Sequence, residues 1–548
     1  MFDQLLEACK RLEQAKTPSW EIPEDILKLI PDGTTIQELN GFLSNDINEV
    51  NHIPVLWVAY ATITKIGKNA KIDVDSDGDD LNDALHGVAD HISSIILPIC
   101  SGASLDEDTT DYAQLRRKGE LGLQAIEQLT NAPIKPPFQL RSSVLLRLTA
   151  FTDVADPWTS AESSALASGL LETQLQILDE SQTKTLIVED ILTTFIRPIF
   201  SKSRSAAVTA SGRKAEYVEP SRYDTLDRET PETKPWKYAH RYAITVFSWA
   251  VQHSDPSLLQ TYWPSFTPAL LTLLDESSHA GLKVRALHTF RSFWSRCPPN
   301  LMQATGLASV FEDAVFPAVL FLPTLTPEDE SLEILGAAYP ALIEMAGLKY
   351  VNPSPGSGQG PGVNANGKQE PKQQITEAQR KLLDKMVREG VMVGYHHAKE
   401  HVRLVGLFCE VLVCIINGMG ILAVKHLKDF IPMVSEIMTD PFGTKHPPTL
   451  ASATQLLQAI LRNCWPRIPH YCNEIIKILM LCWLNIEDED SFPDTNPVAN
   501  DLKAGLTKTA DMLSAITKAS NVDLQDRVGV LIEKEPQLSK LFRDENPA

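Results

Sequence analysis

Residues 263–275 read Trp263-Pro264-Ser265-Phe266-Thr267-Pro268-Ala269-Leu270-Leu271-Thr272-Leu273-Leu274-Asp275, and Leu282-Lys283-Val284-Arg285-Ala286-Leu287 follows shortly after. A Leu-rich helix, an Asp at the turn and a Val-Arg opening a second helix form the pattern of one HEAT unit. The gap from Asp275 to Arg285 is longer than such a unit needs, which predicts a small insertion in the loop. Proline between apolar residues recurs on either side of this stretch, at Pro98, Pro198, Pro268, Pro317, Pro432 and Pro469. Proline in a helix's first turn costs little, because that amide has no intrahelical partner. Pro268 and Pro317 lie 49 positions apart, and Pro432 and Pro469 lie 37 apart. These spacings bracket the ~40–47 residues of a HEAT or armadillo unit.

Helical periodicity extends over most of the chain. Apolar residues recur three and four apart in 3–14, 81–97, 112–129, 139–151, 161–178, 184–197, 236–252 and 258–274. They do so again in 282–295, 328–347, 375–393, 398–416, 448–462, 470–486 and 499–518. Leu166, Leu170, Leu171, Leu175, Ile177 and Leu178, for example, cover one side of a helix. The closest approach to strand alternation, Ala59–Ile66, fits a helix equally well. The expected fold is therefore all-α, a HEAT/armadillo-like α-solenoid in which each helix pair buries its apolar side only against its neighbours.

Composition agrees. The 548 residues are 43% apolar and 22% charged, near the globular average, so wholesale disorder is excluded. Lys+Arg total 50 against 70 Asp+Glu, a formal charge of −20, which repels phosphate and disfavours nucleic acid as a partner. Eight cysteines are thinly spread, without a CxxC, mostly inside apolar runs; they are expected as reduced, buried thiols of an intracellular protein. The opening MFDQLLEACKRLEQ carries Asp3 and Glu7 where a secretion signal needs positive charge, and is expected as an amphipathic helix. The most apolar stretch, Leu404–Val424, is interrupted by Glu410 and Asn417-Gly418, and its uncharged part of 14 residues is too short to span a bilayer. A buried helix ending at the Asn-Gly turn is expected instead, and no membrane partner.

Two linkers are expected to divide the array: 201–232, rich in Ser, Thr, Arg and Glu, and the Pro/Gly/Asn/Gln-rich 352–374. They separate N-terminal repeats (1–200), central repeats (233–351) and C-terminal repeats (375–548). The acidic stretch Asp73–Asp83 is expected as a third exposed loop. Its Asp73, Asp75, Asp77 and Gly78 imitate the first half of a calcium loop, but the closing glutamate is replaced by Ala84. Gly362–Gln369 has Walker A spacing, yet ends in Gln and follows no strand, so it holds no nucleotide. His397 and His401 stand four apart on an expected helix near His396 and Cys409, a spacing able to chelate metal, though no further ligands stand near in sequence. Cys464, Cys472 and Cys482, beside Trp465 and Trp483, fit core packing better than zinc. No nucleophile–base pair is visible. No catalytic residue, cofactor or metal is assigned, and an enzyme is not expected.

The stretch 297–342 carries a resemblance. It contains Cys297-Pro298-Pro299, Thr305-Gly306-Leu307 and Val310-Phe311-Glu312-Asp313-Ala314-Val315-Phe316-Pro317. It continues with Leu322-Pro323-Thr324-Leu325-Thr326-Pro327-Glu328-Asp329-Glu330-Ser331-Leu332 and Ala337-Ala338-Tyr339-Pro340-Ala341-Leu342. This block resembles the Tel-two-interacting protein two (Tti-two) family of the TTT co-chaperone complex. The resemblance continues from Pro235-Trp236 and resumes over Ala398–Trp483; the first 200 residues match only in being helical. It implies a non-catalytic HEAT-repeat scaffold, cytoplasmic and nuclear, partnered by the Tel-two and Tti-one proteins. It further implies stabilisation of phosphatidylinositol-3-kinase-related kinases, with the heat-shock chaperone machinery acting indirectly. The block's Gly306, Phe311, Glu312, Pro317, Pro323, Pro327, Glu328, Tyr339 and Pro340 mark the region of interest, although the partner-binding residues stay unassigned. The residues alone fit a nuclear-transport or trafficking solenoid as well, which recovery of transport receptors would identify, or a metal-dependent helical enzyme built on His396–His401, which bound metal would identify.

Within 233–351 the sequence expects Thr326 to cap a helix with Pro327 at its first position and Asp329 answering from the third. Leu332, Leu335, Tyr339 and Leu342 would then face the helix around Phe311–Leu320. The Gly/Pro-rich insert offers a first test. Because closure entropy grows only with the logarithm of loop length, excising most of 352–374 is expected to change unfolding free energy by about 1 kcal/mol or less. A larger loss in denaturant melts would show that the insert packs on the fold.

Overall fold

The computed structural model describes residues 2–14, 21–45, 49–69, 78–101, 109–131, 137–203, 230–276, 279–350, 375–489, 497–520 and 524–542. Every regular element among them is helical, and none is a strand. Contacts divide the chain into two compact units, Met1–Thr272 with Arg296–Thr305, and Leu273–Ser295 with Gly306–Ala548.

In the first unit the helices are α1 (Phe2–Gln14), α2 (Glu24–Leu29), α3 (Ile36–Leu43), α4 (His52–Asn69), α5 (Gly78–Ile96) and α6 (Tyr112–Thr130). They continue as α7 (Ser142–Thr149), α8 (Ala161–Ile177), α9 (Glu180–Thr185), a π-helical stretch Leu186–Ile196, α10 (Arg197–Phe200) and α11 (Tyr242–Gln252). α12 (Pro256–Asp275) belongs to this unit up to Thr272, and α13 (Ala280–Arg296) begins in the second; α14 (Pro299–Thr305) belongs to the first. Two layers form. α1, α4, α6 and α8 pack side by side in one; α3, α5, α7, the π stretch and α11 pack in the other. Each helix thus meets its next-but-one neighbour laterally and the intervening helix across the layers, the arrangement of a HEAT/armadillo-like solenoid. Trp57, Phe151, Trp158 and Phe247 are fully buried between the layers, and Trp158 Nε1 donates to the Ala150 carbonyl at 3.0 Å. Thr35 with Glu38, and Asp179 with Gln182, close capping boxes that satisfy free amides at helix starts.

The second unit repeats the scheme with α15 (Leu307–Val315), α16 (Glu328–Met345), α17 (Glu377–Lys385), α18 (Val393–Ala398), α19 (Val402–Met419) and α20 (Leu427–Met438). α21 (Pro447–Cys464), α22 (Ile468–Glu487), α23 (Pro497–Ala519) and α24 (Gln525–Lys534) complete it. α16, α19, α21 and α23 pack successively in one layer. A π-helical turn, Met386–Met392, joins α17 to α18, and this composite helix and α20 lie in the opposite layer beside α22. Polar side chains tie the first layer together. Thr449 Oγ1 donates to the Val402 carbonyl at 2.7 Å, Asn463 Nδ2 to Asn417 Oδ1 at 2.9 Å, and Gln458 Nε2 to Thr509 Oγ1 at 3.1 Å. Across the other layer, Tyr395 Oη and Lys399 Nζ both donate to Glu436 at 2.8 Å.

Several expectations need correction. α13 begins at Ala280, so part of the stretch expected as a loop between Asp275 and Arg285 is helix. Pro198, Pro317 and Pro469 do occupy first turns, but Pro268 and Pro432 lie inside α12 and α20, and Pro98 follows α5. The acidic stretch expected as a loop is helical from Gly78, where Asp80 in the first turn suits the positive end of the helix dipole. The rest of that stretch, with the calcium-like Asp73, Asp75 and Asp77, lies outside the described residues, as do the Walker-like segment, 352–374 and most of 201–232. α19 passes through Asn417-Gly418 and stops at Gly420, whose φ of 56° ends the helix. Val402–Met438, apolar and long enough to pass for a membrane span by composition, is thus broken into separate segments, and α19 buries ten residues in the core. Pro327, not Thr326, is the N-cap of α16 and makes no side-chain cap bond; the Thr326 carbonyl instead accepts from Ser331 Oγ at 3.4 Å. α2, α3, α14 and α24 were not expected.

The packing face of α16 is as expected. Leu335, Tyr339 and Leu342 are fully buried, Leu332 is half-buried, and α16 packs on α15 and on the 3₁₀ turn Phe316–Leu320. The Tyr339 ring meets Phe408 edge-on at 6.3 Å. Its hydroxyl is buried without a hydrogen-bond partner among the described residues, against the π turn, where a Cβ on Gly390 would stand 3.3 Å away. Leu335→Ala is expected to cost on the order of 2–5 kcal/mol, read as a lower melting temperature, and a wild-type melt would place that face outside the core. Tyr339→Phe removes a desolvated hydroxyl that no group among the described residues satisfies, so equal or higher stability is expected. A loss beyond about 1 kcal/mol in the same melts would show that the hydroxyl makes a stabilising hydrogen bond.

Candidate partner-binding surface

Most of the block singled out in the sequence builds core. Within the second unit it starts at Gly306, whose φ of 68° favours glycine, and leads into α15. Phe311 is fully buried among Phe290, Phe293 and Trp294, with ring centroids 5.1, 5.9 and 6.5 Å away. Glu312 accepts from Lys385 Nζ at 2.9 Å, and the same ammonium sits 4.3 Å from the Phe316 ring centroid. Tyr339 and Pro340 are buried in α16. Phe311, Tyr339 and Pro340 are packing groups of the repeat.

What the block presents to solvent is the loop from the turn Phe316–Leu320 to α16. Pro317 and Leu320 are exposed, Pro323 is half-buried, and Leu325 is 96% exposed. The loop is nonetheless fixed. The amides of Leu325 and Thr326 both donate to the Leu322 carbonyl at 3.1 Å, and two side-chain contacts join the start of α16 to the start of α19. His401 Nδ1 lies 3.0 Å from Glu328 Oε2, and Arg403 reaches Asp329 at 2.6 Å. Since Thr449 bonds Val402 in turn, the starts of α16, α19 and α21 share one edge of the unit. The next loop on that edge carries Phe442, 77% exposed, on a turn in which the Phe442 amide donates to Asp440 Oδ1 at 2.9 Å. Glu489 holds the same turn through Thr444 at 2.6 Å and Lys445 at 2.8 Å. Val402 is exposed between the two loops. Apolar tips on fixed turns, rimmed by Asp329, Glu330 and Asp440, suit contact with another protein. The α16–α19 contacts and Phe442 were not found from sequence: partners such as Glu328 and His401 are remote in the chain, and the only local hint was an aromatic between Pro441 and Gly443.

The histidine cluster does not assemble as expected. α18 ends at Ala398, so His397 and His401 do not share a helix; His401 is the N-cap of α19. The His396 and His397 rings meet edge to face, 5.5 Å apart. Cys409 is fully buried, and burial pushes its thiol far above the ordinary range. Among the described residues no group of three His, Cys, Asp or Glu side chains could hold a metal ion. Seven of the eight cysteines are buried, and burial pushes Cys464 and Cys482 up to about 12, leaving those two thiols inert in the core.

Three comparisons bear on identity. No curated protein matches the sequence. Among solved structures, a crystal structure of importin beta in a polyethylene glycol condition aligns with 94% of this chain and 75% of its own. Identity there is 10% and the TM-score 0.32, too low to carry an argument about fold or function. The sequence model of the Tti2 family, by contrast, matches residues 144–445, more than half of the chain, including the whole block 297–342 and the edge built from Leu325, Val402 and Phe442. The chain belongs to the Tti2 family, the Tti-two family of TTT-complex subunits that its central block resembles.

Proposed function

We propose that this protein is a non-catalytic scaffold of the TTT co-chaperone complex. It binds the Tel-two and Tti-one proteins and so stabilises and matures phosphatidylinositol-3-kinase-related kinases, in cytoplasm and nucleus, with the heat-shock chaperone machinery acting indirectly. The family match over residues 144–445 is the observation that carries this reading. Physical features support it. The described residues form helical layers whose buried thiols serve packing. Leu325 and Phe442, large apolar groups on rigid turns, are the residues through which such a scaffold makes contact.

Depletion is expected to lower kinase protein without lowering its messenger RNA, and wild-type protein should restore it. A Leu325→Asp/Phe442→Asp double variant should melt like wild type, because both side chains are exposed, yet recover less Tel-two and Tti-one protein and fail to restore the kinases. Unchanged kinase abundance on depletion, together with ATP turnover by the purified chain, would overturn the co-chaperone role. Normal co-purification of the double variant would move the contact surface elsewhere.

A further inference from the structure

On the opposite edge of the second unit, at the ends of α19 and α21, lies a surface of different character. Gly420 adopts φ 56° and ψ −130°, a conformation that side-chain-bearing residues avoid, and turns the chain from α19 into the 3₁₀ segment Gly420–His426. The turn leaves Ile421 53% and Leu422 42% exposed. This segment packs against α21, and α21 ends in a second 3₁₀ turn, Trp465–Arg467, with Trp465 56% exposed. Asn463 fixes the two ends together, donating to Asn417 Oδ1 and to the Ala459 carbonyl, each at 2.9 Å. An exposed tryptophan at one helix end and two exposed aliphatics at the adjoining end, on turns shaped by Gly420 and by hydrogen bonds, are a costly arrangement to leave in water.

Charge says what would cover it. Residues 420–428 read GILAVKHLK and residues 462–470 read RNCWPRIPH, with no carboxylate in either, in a chain that carries 70 Asp+Glu. Lys425 is held by Asp384 at 2.5 Å. Lys428, Arg462 and Arg467 are exposed and make no ion pair or hydrogen bond among the described residues. The carboxylates nearest in sequence are Asp429 and Glu474. We propose that this ridge docks an acidic amphipathic segment of a partner protein. Trp465, Ile421 and Leu422 take the segment's apolar side, and Lys428, Arg462 and Arg467 take its carboxylates. Nucleic acid is the poorer occupant: three free cations are few, and the net charge of −20 opposes phosphate. The proposal is independent of the kinase role and lies partly beyond the family match, which ends at residue 445.

The test is fluorescence anisotropy on the full chain with a labelled helical peptide of about sixteen residues, Leu and Phe on one face and Glu on the other. Matched peptides replace Glu by Gln, or Leu and Phe by Ser. The acidic amphipathic peptide should bind, and more weakly as salt rises, while both matched peptides bind about ten-fold worse or not at all. Trp465→Ser and the Arg462→Glu/Arg467→Glu pair should each weaken binding by about ten-fold or more at an unchanged melting temperature. No binding, equal binding of either matched peptide, or indifference to both variants would overturn the proposal. So would tighter binding of an oligo-dT probe at the same residues, or a wild-type dimer that Trp465→Ser converts to monomer, since a second copy would then be the occupant.

Discussion

The second unit depends on α19. It buries side chains in every turn, from Leu404 through Phe408, Leu412 and Ile415 to Met419, because it must meet α16 on one side, α21 on the other and the opposite layer beneath. A helix apolar over that much of its circumference is unstable alone in water and is satisfied only when all its neighbours are in place. The same demand explains why the stretch imitates a membrane span in composition. It also explains why small residues recur where helices come closest: a Cβ on Gly394 would stand 2.7 Å from the Phe408 ring. Neighbour-by-neighbour burial, repeated along each unit, is what makes the fold a solenoid.

Polar groups then fix the register that burial leaves open. Hydrophobic contact has little direction, so adjacent helices could slide by a turn at modest cost; discrete bonds forbid this. Thr449 to Val402 and Asn463 to Asn417 pin the two ends of the α19–α21 pair, and Gln458 pins α21 to α23 through Thr509. With the register set, the turns at each edge are stacked reproducibly, which gives the edges defined surfaces. The two edges differ in charge. Leu325 and Phe442 stand near charges that are partly paired, Asp329 with Arg403 and Glu489 with Lys445, while Trp465 and Ile421 stand near Lys428, Arg462 and Arg467, which make no ion pair among the described residues. One subunit can therefore offer two chemically distinct contacts from one rigid body of repeats.

The long amphipathic helices were legible because their apolar spacing depends on local sequence alone; α6, α8, α16 and α21 fall within a few residues of their expected bounds. Short helices such as α2 and α3 were not, since six or eight residues hold too few periods to register. The π stretch Leu186–Ile196 is apolar at most positions, so its widened turns leave no trace in the pattern, although Thr193 Oγ1 bonding back to the Val188 carbonyl at 2.7 Å spans five residues there. Prolines misled in the other direction. Pro432 lies inside α20 because its ring faces solvent, where the carbonyl it leaves unpaired can meet water. The central block revealed the family, yet most of its residues proved to be packing groups. The candidate edge beside it depends on pairs such as Glu328–His401 and Asp329–Arg403, which only the folded chain brings together.

The central claim is that the inner faces are a self-sufficient core and the loop edges are what partners cover. Amide hydrogen exchange on the purified chain, alone and bound to the Tel-two and Tti-one proteins, tests it directly. The amides of α19 and α21 should exchange slowly in the free chain and change little on binding, while new protection gathers in 320–327 and 439–446. Fast exchange across α19 in the free chain, with protection there only in the complex, would mean that the partner completes the core and would contradict the claim.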